Sequence, residues 1–156
     1  MSAPLLKRKE KIAFGFGNVL LELSVMTWFF YSMMFLTKIE TLSNTQAGFV
    51  MLVAQCTEAI ATPIGGYACD RMYLKRYGKK KFFLLLSSGF ILVSWPFIFN
   101  KSLIGNDASS NAKLVYYCVF GAIYAPAYGI GDAVHFSLIP VISTKRGDIV
   151  DLNSIR

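Results

Sequence analysis

The sequence has few of the residues on which most enzymes and metal sites depend. Its 156 residues include one histidine, His135, and three cysteines, and only 16% of them are charged. Cys56, Cys69 and Cys118 lie within or at the ends of apolar runs, at no metal-ligand spacing, so we interpret them as packing residues. With no nucleophile motif either, the sequence does not favour an enzyme.

Hydrophobic residues make up 54% of the chain and are concentrated in four long runs, at about residues 12–36, 46–69, 82–99 and 114–142. At about 1.5 Å per helical residue, each run reaches roughly 27 to 43 Å, enough to cross a hydrocarbon core of about 30 Å. In lipid the backbone must satisfy its own hydrogen bonds, so the runs are predicted to be helices. The fold class is therefore an all-α, polytopic membrane protein with four transmembrane helices.

Local signals refine two of these helices. Ser43-Asn-Thr-Gln46 has the spacing of a capping box and predicts the start of the second helix. Pro126, Gly129, Gly131 and Pro140 predict a kinked or interrupted fourth helix.

The distribution of cations predicts the orientation in the membrane. Thirteen of the sixteen lysines and arginines precede the first run, lie in the loop 70–81 or follow the fourth run, whereas Lys38, Lys101 and Lys113 lie between the other runs. The side with more cations is predicted to be cytoplasmic, with both ends of the chain on it. Because the cations alternate with apolar runs, the net charge of +7 does not indicate nucleic-acid binding.

Three acids interrupt the apolar runs: Glu22 in the first, Glu58 in the second and Asp132 in the fourth. Each lies 11 to 13 residues from the nearest charge on the cytoplasmic side, which places all three roughly 16–20 Å from that face. An acid facing lipid costs about 2.5–3.5 kcal/mol, so we expect these carboxylates to face the bundle interior or a water-filled cavity.

Polar side chains share a helical face with each acid: Asn18 with Glu22, Gln55 and Thr62 with Glu58, and Tyr128 and His135 with Asp132. No lysine or arginine lies inside the four runs. Each acid is therefore held by a proton, a metal cation, a cationic group of a substrate or a helix outside this sequence. The simpler alternative is three protonated acids that hydrogen-bond between helices. His135 is equally open to two interpretations, a proton relay and a packing residue.

Two groups of motifs carry a resemblance to a known family. Gly66-x-x-x-Asp70-Arg71 followed by Gly78-Lys79-Lys80 resembles the loop between helices two and three of the major facilitator superfamily. The segment from Glu58 through Thr62-Pro63 to Gly65 resembles the second-helix cation motif of the glycoside-pentoside-hexuronide:cation symporters. The segment from Asp132 to Pro140 resembles their fourth-helix motif, and the likeness covers nearly the whole chain.

The resemblance implies that residues 1–156 are part of the N-terminal bundle of a twelve-helix carrier. The resemblance and the shared helical faces together give three groups of site residues: Glu58, Asp132, Thr62 and His135 for the coupling cation; Glu22, Asn18, Tyr128 and Gln55 for the substrate; and Gly66, Asp70 and Arg71 for a conformational latch. No cofactor is implied beyond the coupling proton or sodium ion. The implied partners are the lipid bilayer, a small solute, and the missing C-terminal helices or a full-length homologue, but no nucleic acid.

One departure from the family pattern bears on the coupling ion. Thr62 stands where bacterial members have a second acid. A sodium site needs several hard oxygen ligands that carry negative charge, so the loss of a carboxylate here favours a proton. The predicted function is secondary active transport, as proton symport of a small polar solute such as a sugar or amino acid, in a lysosomal or plasma membrane. The alternative is a truncated, non-transporting membrane protein that binds or regulates a full-length transporter.

Overall fold

The computed structural model describes residues 6–71, 79–105, 108–143 and 145–155, and the regular structure in these ranges is helical throughout. The helices are α1 (Arg8–Met34), α2 (Asn44–Arg71), α3 (Lys79–Ile98), α4 (Ser110–Ile142) and α5 (Arg146–Ile155), with one π-helical turn, Phe35–Ile39, directly after α1. The first four helices are long and apolar enough to cross a membrane. This confirms the all-α, four-span fold predicted from the apolar runs.

The local capping signal is confirmed. The backbone N–H of Ser43 donates to Oε1 of Gln46 at 3.1 Å, and the N–H of Gln46 donates to Oγ of Ser43 at 3.2 Å. These reciprocal bonds satisfy two donors at the start of α2. At the start of α4, Oγ of Ser109 accepts the N–H of Ala112 at 3.3 Å.

Helix α4 is continuous through Pro126 and Pro140, so of the two predicted outcomes the interruption does not occur and the kink stays a prediction. Packing against neighbouring helices compensates for the backbone bonds that proline removes. Near Pro140, the ammonium group of Lys80 on α3 donates to the carbonyl oxygen of Ser137.

Helix α4 is central to the bundle: it packs along α2 on one side and along α3 on another. Small residues permit the close approach to α2 and α1. A β-carbon at Gly65 of α2 would collide with the side chain of Ile130, and one at Gly121 of α4 would lie 3.4 Å from Trp28. Leu21, Trp28, Val50, Ile91 and Tyr124 belong to the buried core that joins all four long helices.

The short helix α5 packs at the end of the bundle where α1 begins. Leu152 of α5 is fully buried against Phe14 of α1 and Ile139 of α4. The ammonium group of Lys11 lies 2.8 Å from Oδ1 of Asp148 and 2.6 Å from Oδ2 of Asp151. Apolar contacts and ion pairs thus join the start of α1 to α5.

Candidate functional site

Polar side chains of α2 lie against the backbone of α4 where the two helices meet at Gly129. A β-carbon at Gly129 of α4 would stand 2.9 Å from Cγ of Glu58 and 3.4 Å from its Oε1, and it would collide with Oγ1 of Thr62. The absence of a side chain at Gly129 therefore lets the α4 backbone rest on the face of α2 that carries Glu58 and Thr62. Two residues that the sequence assigns to a cation site thus lie together at a helix–helix contact.

Polar groups converge around Glu58. Nε2 of Gln55 donates to its Oε2 at 3.3 Å, and Asp132 lies three residues, about one helical turn, after Gly129 on α4. Both acids are half-buried. Oγ1 of Thr62 is buried and has no hydrogen-bond partner among the residues that the structure describes. Two carboxylates near each other in a low-dielectric bundle repel, and a bound cation relieves that repulsion.

A second polar pair lies on α1. Asn18 is only 1% exposed, and its Nδ2 donates to Oε1 of the half-buried Glu22 at 3.0 Å. Oδ1 of Asn18 is also buried, without a hydrogen-bond partner in the described part of the chain. Asn18 thus fixes the Glu22 carboxylate and keeps an acceptor of its own beside it.

His135 is oriented towards α1. Its buried ring stacks on Phe14 with 4.2 Å between ring centroids, and its Nε2 lies 3.2 Å from the carbonyl oxygen of Phe14. Its assignment to the cation site stays a prediction. Tyr128, predicted to contact substrate, is half-buried on α4, with its ring centroid 6.5 Å from that of Tyr124.

The predicted latch residues lie at the end of α2. The guanidinium carbon of Arg71 stands 5.0 Å from the ring centroid of Tyr67, Asp70 is exposed, and a β-carbon at Gly66 would meet open space. Residues 72–78, including Gly78 of the same motif, lie outside the described residues. The latch therefore stays a prediction.

A buried acid that the sequence did not predict lies at the other end of the bundle. Glu40, at the end of the π-helical turn, is 3% exposed; its Oε1 accepts the N–H of Ser102 at 3.3 Å, and its Oε2 lies 3.8 Å from Nζ of Lys113. Glu40 lies four residues after the first apolar run, in a short polar segment whose sequence is typical of an exposed connection. Its one available signal was the matching cation at the start of the fourth run.

Comparison with known proteins gives a consistent result. The profile of the family described as "MFS/sugar transport protein" matches residues 13–156. The chain is 31% identical to "Major facilitator superfamily domain-containing protein 12" of Mus musculus over 147 residues, which cover 94% of this chain and 31% of that protein. The protein of the same name from Homo sapiens gives 31% identity over 149 residues, with the same shares covered.

A bacterial relative is more distant but covers the whole chain. The "Inner membrane symporter YicJ" of Escherichia coli (strain K12) is 25% identical over 156 residues, which cover 100% of this chain and 33% of that protein. The chain thus spans about a third of the length of these relatives. The bacterial relative is named as a symporter, and the family match together with the four long helices indicates a multi-pass integral membrane protein.

Proposed function

This chain belongs to the MFS/sugar transport protein family, and from that membership we propose that its helices are part of a cation-coupled symporter for a small polar solute such as a sugar or an amino acid. The chain spans about a third of the length of its relatives, so the proposed activity is that of a longer carrier containing these helices. The name of the bacterial relative, a symporter, supports coupled transport.

The contact of Glu58 with Gly129 carries the proposal. It brings a carboxylate of α2 onto the α4 backbone, about one helical turn from Asp132. Binding of a cation between the two acids removes their repulsion and lets α2 and α4 pack closely. Release of the cation restores the repulsion, which gives the bundle two arrangements that depend on occupancy.

We propose a proton as the coupling cation. Thr62 supplies a neutral hydroxyl beside Glu58, where a third carboxylate would favour a metal ion. A proton needs only one carboxylate that is readily neutralised, and the Glu58–Asp132 pair supplies it. His135 is oriented towards α1 and, in this proposal, positions α4 rather than binding the cation.

The solute would be held between α1 and the rest of the carrier. Asn18 fixes the Glu22 carboxylate, which accepts hydrogen bonds from hydroxyl or ammonium groups. The same pair offers the buried Oδ1 of Asn18 as a neutral acceptor. Both features suit a small polar molecule.

The cation site is testable without knowledge of the solute. Infrared difference spectra of the purified chain, recorded as the pH is lowered, report protonation of buried carboxyl groups. We expect a carboxyl signal that is lost in Glu58→Gln and altered in Asp132→Asn, whereas Glu10→Gln, an exposed acid outside the site, leaves it in place. A signal unchanged in Glu58→Gln would refute the site.

Transport is tested in proteoliposomes that contain the longer carrier with these helices and enclose a pH-sensitive dye. Sugars and amino acids are added singly, and proton entry that needs both the solute and Glu58 supports symport. If the 156-residue chain instead occurs by itself in its own membranes and co-purifies with a separate longer carrier, a regulatory role is favoured. Labelling of intact cells or lysosomes with an impermeant amine reagent tests the orientation, which predicts that Lys101 and Lys9 lie on opposite sides of the membrane.

A further inference from the structure

An apolar groove lies between α3 and α4 on the outside of the bundle. Its volume is about 310 Å³, and its lining consists of Phe83, Leu86, Ser87 and Phe90 of α3 and Ile123, Pro126, Ala127 and Ile130 of α4. Ala127 and Pro126 are small residues, so the surface of α4 leaves space opposite Phe83 and Phe90. No residue proposed for the cation or the solute lines this groove.

The depth of the groove fits one leaflet of a bilayer. From Phe83 to Phe90 it extends over seven residues of α3, or about 10 Å, within the roughly 15 Å of hydrocarbon that one leaflet contributes. Phe83 lies just past the first turn of α3, which begins at Lys79. The groove therefore opens at the end of the bundle that carries the basic loop 70–81.

A lysine is positioned at that end. Lys80 bridges the two helices that form the groove, because its ammonium group donates to the carbonyl oxygen of Ser137 on α4. An ammonium group has three N–H donors, and this bond uses one of them. At about 100° per residue, Lys80 lies on the same face of α3 as Phe83 and Ser87, whereas Lys81 lies about 160° around the helix from Phe83.

We propose that this groove holds an acyl chain of an anionic phospholipid whose headgroup phosphate binds the ammonium group of Lys80. The apolar walls accept the chain, and the half-buried cation at their end fixes the headgroup. The site is independent of the proposed cation and solute sites.

Charge decides which lipid is retained. An acyl chain that leaves bulk lipid for the groove gains no hydrophobic free energy, because both surroundings are apolar. A basic residue near the membrane surface strengthens the binding of an anionic lipid roughly fivefold. The proposal therefore predicts selection for headgroup charge at Lys80 and accommodation of the chain at Ala127.

The test is native mass spectrometry of the purified 156-residue chain in detergent, with dioleoyl phosphatidylserine and dioleoyl phosphatidylcholine added in equal amounts. We expect the chain to retain phosphatidylserine preferentially. Lys80→Gln should lose that preference roughly fivefold, and Lys80→Arg should keep it. Lys81→Gln is the matched control, since it removes the same charge from the other face of α3 and should keep the preference.

A second variant tests the groove itself. Ala127→Phe fills it and should reduce retention of both lipids, whereas Leu92→Phe, at an exposed position of α3 outside the groove, should not. Thermal melting of each variant identifies those that have not folded, and Lys80→Gln keeps the test decisive if Ala127→Phe is one of them. Equal retention of the two lipids by the unaltered chain, or equal losses in Lys80→Gln and Lys81→Gln, would overturn the proposal.

Discussion

Gly129 of α4 lies so close to Glu58 of α2 that a β-carbon on Gly129 would stand 2.9 Å from Cγ of Glu58. Non-bonded carbon atoms do not come that close, so one of the two would have to shift. The contact of the same β-carbon with Thr62 leaves little room for such a shift. The distance between α2 and α4 at the proposed cation site is therefore set by the smallest side chain available.

We predict that Gly129→Ala pushes α2 away from α4. Overpacking of this kind costs about 1–3 kcal/mol, so the melting temperature in detergent should fall, and the carboxyl signal of Glu58 should change with it. Gly89→Ala is the matched control: its β-carbon would meet nothing within 4 Å, and alanine is the better helix former. If the melting temperature of the Gly129→Ala chain equals or exceeds that of the Gly89→Ala chain, the contact of Gly129 with Glu58 is not tight.

The ion pairs between α1 and α5 predict that the stability of the fold depends on pH. Asp148 is buried, and the hydrogen bond from Lys11 holds the pKa of its carboxyl below the usual value of 3.8, with further help from the N–H of Leu6 and the hydroxyl of Ser143. Because the pKa is lower in the folded chain, the stabilisation is complete above about pH 4 and is lost as the pH falls towards the folded pKa.

Melting temperatures from neutral pH down to about pH 2.5 test this prediction. Asp148→Asn should lower the melting temperature at neutral pH and flatten its decline in acid. Asp151→Asn is the matched control, since the Asp151 side chain is 55% exposed and its ion pair with Lys11 is screened by water. Equal effects of the two substitutions would mean that burial of Asp148 adds nothing to the stability of the contact between α1 and α5.

How much of this structure the sequence predicts depends on how local the determinants are. Run length alone predicts the four long helices, and the spacing of Ser43 and Gln46 predicts the start of α2. The i, i+4 spacing likewise puts Asn18 on the face of Glu22, where it donates a hydrogen bond. These features depend on neighbours within one or two turns.

Features that depend on distant contacts escaped prediction. Glu40 is buried because Ser102 and Lys113 come from other parts of the chain, and its own neighbours in sequence gave no sign of that. Helix α5 is short, and its four apolar side chains, Ile149, Val150, Leu152 and Ile155, are too few to stand out beside the membrane runs. The prolines and glycines of α4 do not interrupt the helix, because packing on α2 and α3 outweighs their local effect.

The Glu40–Lys113 pair predicts a large effect of removing one partner. Lys113→Met leaves a carboxylate that is 3% exposed without its cation, and loss of one member of a buried pair costs about 3 kcal/mol or more. Glu40→Gln should cost less, since the amide oxygen still accepts the N–H of Ser102.

Melting temperatures of the single and double variants measure this coupling. Lys113→Met combined with Glu40→Gln should recover part of the stability that Lys113→Met loses, because the unpaired charge is gone. Lys38→Met is the control, since Lys38 is exposed in the same π-helical turn. The pair would be shown to be unimportant if Lys113→Met melts at the temperature of Lys38→Met.

The stacking of His135 on Phe14 separates two roles for this histidine. His135→Phe keeps an aromatic ring against Phe14 and removes both ring nitrogens, so the contact of α1 with α4 should persist, at a cost of about 1 kcal/mol for the lost polar interaction. His135→Ala removes the ring as well and should lower the melting temperature further. Because Nε2 lies beside the carbonyl oxygen of Phe14, we expect the carboxyl signal of Glu58 to keep its midpoint pH in His135→Phe. A midpoint that moves as it does in Asp132→Asn would instead make His135 a member of the cation site, as the helical spacing first suggested.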